Sequence, residues 1–450
     1  MGVDELERSL AALLAADGKT EIVGLRRLSG GASRETWSFD AVADGEGRGL
    51  ILQRLRPGVT ESSSGIPMSV EAEALRSAGD HGVPVARVVA VDDGAVLGSA
   101  GMVVERLDGE TIARKLLRDD EYATARRVLG AQVGEALARI HAMPSDAVEG
   151  LRQTDQLEQF RTVLDTLGEP HPAFELGFRW LEANRPATTT VGVVHGDFRL
   201  GNLLVDQEGL RAVLDWELTH LGDPLEDLGW FCVRAWRFGS PLPAGGVATR
   251  EDVVSAYEAA SGTVVDMEAL RWWELLGTLK WGVICIMQAF GHLSGSVRSV
   301  EMATIGRRVC ENEWDVLGLL PGGAMPSDSA PPAEPAAALH DRPTLAELVE
   351  AVREWVDTDV REGTEGRLSF HARVAVNALR MVEREIAAEP ALTEAHRARL
   401  AALGCQDDRD LATKIRQGAF DDRLEEVRTE VAKSVRAKLE VANPAWLEEA

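Results

Sequence analysis

The segment VVHGDFRLGNLLVDQEGLRAVLDWE, from Val193 to Glu217, brings His195, Asp197, Arg199, Asn202 and Asp215 into a short stretch that reads as strand, loop, strand, turn, strand. These residue types can hold a hard cation and move a proton. If NLLVDQEGLRAVLD turns through Gln207 to Leu210, Asp206 faces Arg211 and Asn202 faces Asp215. Opposed positions in an antiparallel pair have Cβ atoms ~4.5–5.5 Å apart. An amide oxygen and a carboxylate at one hairpin end can then share a divalent ion and leave room for water and phosphate oxygens, as Mg²⁺ prefers. Asp197 stands in the loop entering that same end, where a carboxylate can orient and deprotonate an alcohol. Gly196 and Gly201 let the loop turn tightly. Arg199 either neutralises phosphate charge or holds the loop, and His195 is either a ligand or base or a hydrogen-bonding residue that fixes it. Singly, each has a plainer explanation, because Asp and Asn at strand ends are ordinary turn formers. Together they fall at mutually consistent places.

The elements that must position these groups divide the chain. A short helical segment is followed by strand-like runs around EIVGLRRLSGGASRETWSFDA and GRGLILQRLR, a helix in SVEAEALRSAGDHG, and strands in ARVVAVDD and GMVVERLD. Beyond Asp108 the pattern is helical except for the opening stretch, so the expected class is α+β with a β-rich lobe over 1–107 and a helical lobe over 108–319. The Pro- and Ala-rich run over 320–340 reads as a linker. Residues 341–450 read as a small helical bundle. Thr344 and Glu347 form a capping box ahead of a stripe of Leu345, Leu348, Val349, Val352 and Val356. A second stripe comprises Leu368, Ala372, Ala375, Leu379, Val382 and Ile386. Asp223-Pro224-Leu225-Glu226 similarly starts a helix right after the metal residues.

Composition narrows the function classes. With 450 residues the chain can bury more than one core. Lys and Arg number 48 against 73 Asp and Glu, a net charge of −25, which repels nucleic acid and anionic membrane surfaces. The four cysteines are scattered without a zinc spacing, which suits a reducing cytoplasm. The start carries acidic residues where a secretory signal needs basic ones. The longest apolar run, LLGTLKWGVICIMQAFGHL, is interrupted by Lys280 and Gln288 and reads as a buried helix rather than a membrane span.

The pattern His195-x-Asp197-x-x-x-x-Asn202 followed by Asp215 resembles the catalytic loop and metal aspartate of the aminoglycoside phosphotransferase family, relatives of the protein kinases that phosphorylate small alcohols with ATP. Trp216 and Glu217 stand where kinases have Phe and Gly. The resemblance implies a bilobal protein-kinase-like fold, with ATP and Mg²⁺, Asp197 as base, and Asn202 and Asp215 on the metal. It also implies a nucleotide-covering loop in LSGGASRETW with Ser29, Gly30, Gly31 and Ser33. Glu71 would be the helix glutamate that anchors a lysine, Glu105 and Leu107 the adenine hinge, and Asp227 a brace for the catalytic loop. One position departs: where the family places Lys or Arg this chain has Gln53, next to Arg54. Neighbouring strand residues point to opposite faces, so Arg54 replaces it only through a bulge or register shift. Otherwise Gln53 contacts phosphate more weakly, or the fold is catalytically reduced.

LGDPLEDLGWFCVRAWRFG and LKWGVICIMQAFGHLSG most resemble the branch related to kinase-like domains fused to acyl-CoA dehydrogenases, which implies a hydroxyacyl-CoA acceptor phosphorylated at a 4-hydroxy group. Trp272, Trp273, Lys280, Trp281, Gln288 and His292 could roof an acceptor pocket or be core. The final domain resembles a small helical family of unassigned chemistry encoded beside such kinases; its Arg367, His371 and Arg373 meet an anionic ligand or form a solvated face. Three readings follow: a small-molecule kinase, whose acceptor is the CoA thioester or else an aminoglycoside or other alcohol; a pseudokinase-like scaffold, motivated by Gln53; and a metal-dependent hydrolase built on His195, Asp197 and Asp215. The hydrolase has no use for the loop, helix glutamate and hinge upstream.

Overall fold

The computed structural model describes residues 2–15, 20–28, 34–43, 45–56, 65–187, 190–297, 299–322, 325–326, 344–389 and 391–448. Two compact units emerge, one of Met1–Asp155 with Pro186–Glu274 and one of Gln156–Arg185 with Leu275–Ala450. In chain order, α1 (Val3–Leu14), β1 (Glu21–Arg27), β2 (Arg34–Ala43), β3 (Glu46–Leu55), α2 (Met68–Asp80), β4 (Val88–Asp92), β5 (Gly101–Glu105), α3 (Ala113–Arg118) and α4 (Ala123–His141) open the first unit. After α5 (Gln156–Leu167) and α6 (Pro172–Ala183), which belong to the second unit, come β6 (Gly192–Val194), β7 (Leu203–Asp206), β8 (Gly209–Val213), β9 (His220–Gly222), α7 (Leu225–Cys232) and α8 (Arg250–Ser261). Helix α9 (Met267–Leu293) begins in the first unit and continues in the second, which adds α10 (Val300–Gly306), α11 (Val309–Leu319), α12 (Leu345–Trp355), α13 (Gly366–Ala388), α14 (Ala391–Ala402), α15 (Asp408–Arg416), α16 (Leu424–Ala442) and α17 (Ala445–Glu448).

The expected α+β, kinase-like architecture is present. An antiparallel sheet of order β1-β2-β3-β5-β4 has two apolar faces because side chains alternate along each strand. Phe39, Leu50, Leu52 and Val103 pack with Leu6 and Leu10 of α1 on one face. Leu55, Met102 and Val104 join Met68, Ala72 and Leu75 of α2 on the other, in a larger core that runs on into α4 and the loop that carries Phe198 and Leu200. Fully burying each such aliphatic side chain contributes about 1.5–3 kcal/mol.

The hairpin β7–β8 departs from the register read in the sequence. Asp206 pairs with Gly209, not Arg211, and Leu203 pairs with Val213 after a shift between Leu204 and Val205. The cause is local: the Asp206 carboxylate accepts the N–H groups of Glu208 at 2.8 Å and Gly209 at 3.0 Å, which closes a two-residue turn. Asn202 accordingly bonds through its carbonyl to Leu214 N at 2.8 Å, one residue short of Asp215.

The second unit also differs from expectation. Helices α6 and α11 group with the C-terminal helices rather than with a lobe ending at 319. Polar pairs inside this unit explain the grouping: Glu175 of α6 takes Arg416 Nη2 at 2.7 Å and Arg161 Nη1 at 2.8 Å, and Glu313 of α11 meets His171 at 3.0 Å and Lys438 at 3.1 Å. The capping box forms, with Thr344 N–H on Glu347 Oε2 at 2.6 Å. The stripe behind it does not become core, since Leu345, Leu348 and Val352 are at least half exposed. Ala372 of the second stripe is buried, whereas Leu368 and Val382 are exposed. Most of 320–340 lies outside the described residues. All four cysteines are buried thiols, and no helix among the described residues is long and apolar enough to cross a membrane.

Helix α4 lies close against α8 because two of its residues lack side chains. A Cβ on Gly130 would come to 2.6 Å from Ala248 Cβ, and one on Gly134 to 2.5 Å from Val253 O. Gly134→Ala gains about 1 kcal/mol of helix propensity, but overpacking against a backbone carbonyl costs about 1–3 kcal/mol. We expect a net loss near 1 kcal/mol, visible as a lower urea midpoint with an unchanged slope; equal or greater stability would show that α8 yields without cost.

Candidate active site

The catalytic-loop residues hang between β6 and β7, and one buried carboxylate sets the loop's path. Asp227, in the first turn of α7 and fully buried, accepts His195 N–H at 2.8 Å, Gly196 N–H at 2.9 Å and His141 Nε2 at 3.1 Å. Burial alone would push its pKa up, but His141 and these backbone donors hold it below the ordinary aspartate value. Helix α7 is in turn started by Asp223, whose Oδ1 accepts Leu225 N–H at 2.9 Å. Gly196 takes φ +81°, and a Cβ there would collide with the Leu218 carbonyl.

His195 is held by backbone on both sides of its ring. Its ring is buried between Trp216 and Phe198, Nδ1 accepts Asp197 N–H at 3.2 Å, and Nε2 donates to Leu214 O at 2.9 Å. Both nitrogens are thus engaged with backbone. Asp197 shows a different environment. Its Oδ2 takes Asn202 Nδ2 at 2.7 Å, its Oδ1 takes Trp230 Nε1 at 2.8 Å, and Arg199 Nε lies 3.2 Å from both oxygens. Arg199 sits 5.0 Å over the Trp236 ring, so it holds the loop carboxylate while resting on an aromatic face.

Asp215 adopts a left-handed conformation, φ +65° and ψ +65°, uncommon for a non-glycine residue and a mark of strain at sites of this kind. Burial raises its pKa, and the nearby Asp197 charge raises it further, against His195, Arg34 and Arg199. Among the described residues no three His, Cys, Asp or Glu side chains form a metal cluster. Asn202 directs its amide nitrogen to Asp197, which leaves the carboxamide oxygen as its acceptor atom.

On the sheet side the structure brings some expected residues here and not others. Glu71 of α2 is buried and meets Arg34 Nη1 at 2.6 Å. Arg34 Nε lies 3.1 Å from Glu217 Oε2. Gln53 is on the α2 face, paired across the strands with Thr36 and Met102. Arg54 is not at the site: alternation sends it to the α1 face, where it binds Glu35 Oε2 at 2.9 and 3.0 Å. Glu105 gives its N–H to Arg87 O at 2.9 Å, and Leu107 packs against the larger core. Ser29, Gly30, Gly31 and Ser33 lie outside the described residues.

Of the pocket-roof candidates, Trp272 is core. Lys280, Trp281, Gln288 and His292 fall in the second unit, Lys280 buried over the Phe160 ring and His292 Nδ1 accepting Ser299 N–H at 3.1 Å. Arg367 and Arg373 are exposed, as a solvated face requires. Sequence reasoning missed Arg34, Glu217, Trp230 and His141 as members of the site. Only Arg34 left a signal, a lone cation directly after the Gly-rich run.

Residues 24–273 match the phosphotransferase enzyme family. This chain belongs to that family. Residues 362–446 match a domain family of unknown function. Acyl-CoA dehydrogenase family member 10 of Mus musculus is 28% identical over 251 residues, covering 53% of this chain and 23% of that protein. Homoserine kinase of Rhodospirillum rubrum is 27% identical over 176 residues, 36% of this chain and 51% of the kinase. The chain therefore spans about a quarter of the first relative and half of the second. A crystal structure described as a putative aminoglycoside phosphotransferase from Ralstonia eutropha superposes with TM-score 0.54 at 20% identity, covering 70% of this chain and 98% of the other; it shares the fold.

The charges gathered around Asp215 predict a pH dependence. Burial, then Asp215, pushes Glu217 from an ordinary 4.5 up to about 7. Between those values the folded chain keeps a proton that the unfolded chain has released, so stability falls as pH rises through that window and levels off above it. Thermal melts without nucleotide or metal should show this fall in the wild type and a shallower one in Glu217→Gln. Parallel curves would disprove the assignment.

Proposed function

We propose that the protein is a kinase that transfers the γ-phosphoryl group of ATP to a hydroxyl group of a small molecule, with Asp197 as the proton acceptor. The supporting observation is the way Asp197 is fixed: one loop carboxylate oriented by Asn202, Trp230 and Arg199, on a backbone pinned by Asp227. An acceptor hydroxyl beside it loses its proton to the carboxylate as its oxygen bonds to the γ-phosphorus, and the bond to the β-phosphate oxygen breaks to release ADP. Asn202 and Asp215 would hold a divalent cation: the Asn202 amide nitrogen is turned to Asp197, which leaves its carboxamide oxygen as an acceptor, and Asp215 lies close enough to Asp197 for the two to act on each other electrostatically. Mg²⁺ held there would supply charge neutralisation on the phosphates. The hinge carbonyl of Glu105 and the backbone at Leu107 would receive adenine.

The acceptor is proposed to be a CoA thioester, a hydroxyacyl-CoA carrying a 4-hydroxy group. The names of the acyl-CoA dehydrogenase relatives suggest the handle, and a cavity in the first unit supports it. It measures about 710 Å³ and is lined by Arg114, Arg118, Arg126 and Arg127 together with apolar Phe238 and Leu242. Four guanidinium groups around apolar walls suit a phosphate-bearing, amphipathic molecule. In a chain of net charge −25 this local basicity stands out against the whole, and it disfavours a polycationic acceptor. Phe238 of the cavity lining follows two residues after Trp236, whose ring lies 5.2 Å from that of Trp230, the residue that bonds Asp197.

Asp197→Asn should keep ATP affinity in calorimetry and lose phosphoryl transfer by ~10²–10⁴-fold, the usual contribution of a positioned base; unchanged turnover would remove the mechanism. In an ADP-release assay with a hydroxyacyl-CoA, Arg114→Glu combined with Arg118→Glu should raise the acceptor KM by roughly tenfold or more while the ATP KM stays constant. A constant acceptor KM would exclude the cavity as the CoA site.

A further inference from the structure

The cation missing from β3 stands on the neighbouring strand. Gln53 occupies the position where the family resemblance calls for Lys or Arg, and it pairs with Thr36 of β2. Arg34, two residues before Thr36, lies on the same face of the sheet, toward α2 and away from the α1 face that takes Arg54. Its side chain is 9% exposed and that of Glu71 is 2%, with 2.6 Å between Nη1 and Oε2. Glu71 is the residue that would steady the phosphate-binding cation, so that partnership is already made, with Arg34 instead of a residue at 53.

Three features argue that this contact is more than a clasp between β2 and α2. First, Arg34 also approaches Glu217, at 3.1 Å, and acts electrostatically on Asp215, so it sits over the metal end of the site. Second, the turn that carries Glu217 is fastened to the start of α2: Ile66 N–H bonds Glu217 O at 3.0 Å, and a Cβ on Gly65 would collide with that same carbonyl. Arg34, Glu71 and Glu217 are therefore tied together by contacts on either side of the turn. Third, a guanidinium carries five N–H donors in a planar fork, enough to be oriented by carboxylates on one side and to meet phosphate oxygens on another.

We propose that Arg34 is the nucleotide's phosphate-contacting cation, supplied from β2 in place of the β3 residue and oriented by Glu71. This rests on the kinase reading above and removes the motive for regarding the fold as catalytically reduced. The geometry also accounts for Gln53: a second cation on the same face, diagonal to Arg34, would repel it, and an uncharged amide does not.

Calorimetry with ATP and Mg²⁺, and separately with adenosine, tests the assignment without any acceptor. Arg34→Gln should weaken ATP binding by roughly 10- to 100-fold, the loss of a charge-assisted contact, and leave adenosine binding unchanged. Adding Gln53→Lys to Arg34→Gln should restore most of the ATP affinity, because it returns the charge to the same face beside Glu71. Arg34→Lys, which keeps the charge, provides a second variant should the glutamine substitution unfold the chain, and should bind ATP within a few-fold of wild type. Wild-type ATP affinity in folded Arg34→Gln, or equal losses for ATP and adenosine without rescue by Gln53→Lys, would overturn this inference alone. A wild-type protein that binds no ATP would overturn the kinase reading along with it.

Discussion

The loop from His195 to Asn202 depends on the burial of one carboxylate. Asp227 is wholly inside the protein, where an isolated ionised carboxylate is strongly disfavoured, and it is stable only because His141 and two consecutive backbone N–H groups converge on it. Those same bonds dictate where His195 and Gly196 lie. With them in place, Gly196 must take its left-handed turn, His195 reaches across to Leu214, and Asp197 emerges with its carboxylate toward Asn202 and Trp230. The Asp197 carboxylate is thus oriented through a second, buried carboxylate, which limits the freedom of the loop more tightly than exposed hydrogen bonds could.

Around that loop the charges are deliberately unequal. Asp197, Asp215, Glu217 and Glu71 crowd a region answered by Arg34 and Arg199, and the carboxyl groups respond by rising: Asp215, Glu71 and Glu217 are all pushed up, chiefly by burial. Crowded carboxylates of this kind are what a divalent cation with a polyphosphate would relieve. The left-handed Asp215 belongs to the same pattern, with local strain at a functional residue sustained by the surrounding packing of Trp216 and His195.

The second unit is built on different lines. Its apolar stripes are partly exposed, and much of its order comes from buried or half-buried charged contacts, such as the ion pairs of Glu175 with Arg161 and Arg416 and the hydrogen bond from Arg428 to the carbonyl of Leu317. Charged contacts between residues far apart in sequence are invisible to hydrophobic periodicity. That is why the Pro-rich segment suggested a boundary that the packing places elsewhere, with α5, α6 and α11 inside the same unit as the C-terminal helices.

Spacing along the chain determined the order and types of the site residues. A loop Asp, an Asn at the start of one short strand and an Asp at the end of the next are local facts, and strand alternation plus turn chemistry carry them to one end of a hairpin. The capping box at Thr344, the helix start at Asp223 and the two-lobed α+β pattern were legible for the same reason, since each rests on contacts within a few residues. What the tertiary structure alone decided is which partner each charge meets. The hairpin register turned on one Asp206 side chain closing a shorter turn. Arg54 went to Glu35 and Arg34 to Glu71 because pairing of β2 with β3 assigns alternate residues to opposite faces, and no linear spacing states that pairing. An ion pair needs two side chains on the same face at the same depth, and only the assembled sheet and helix define either one.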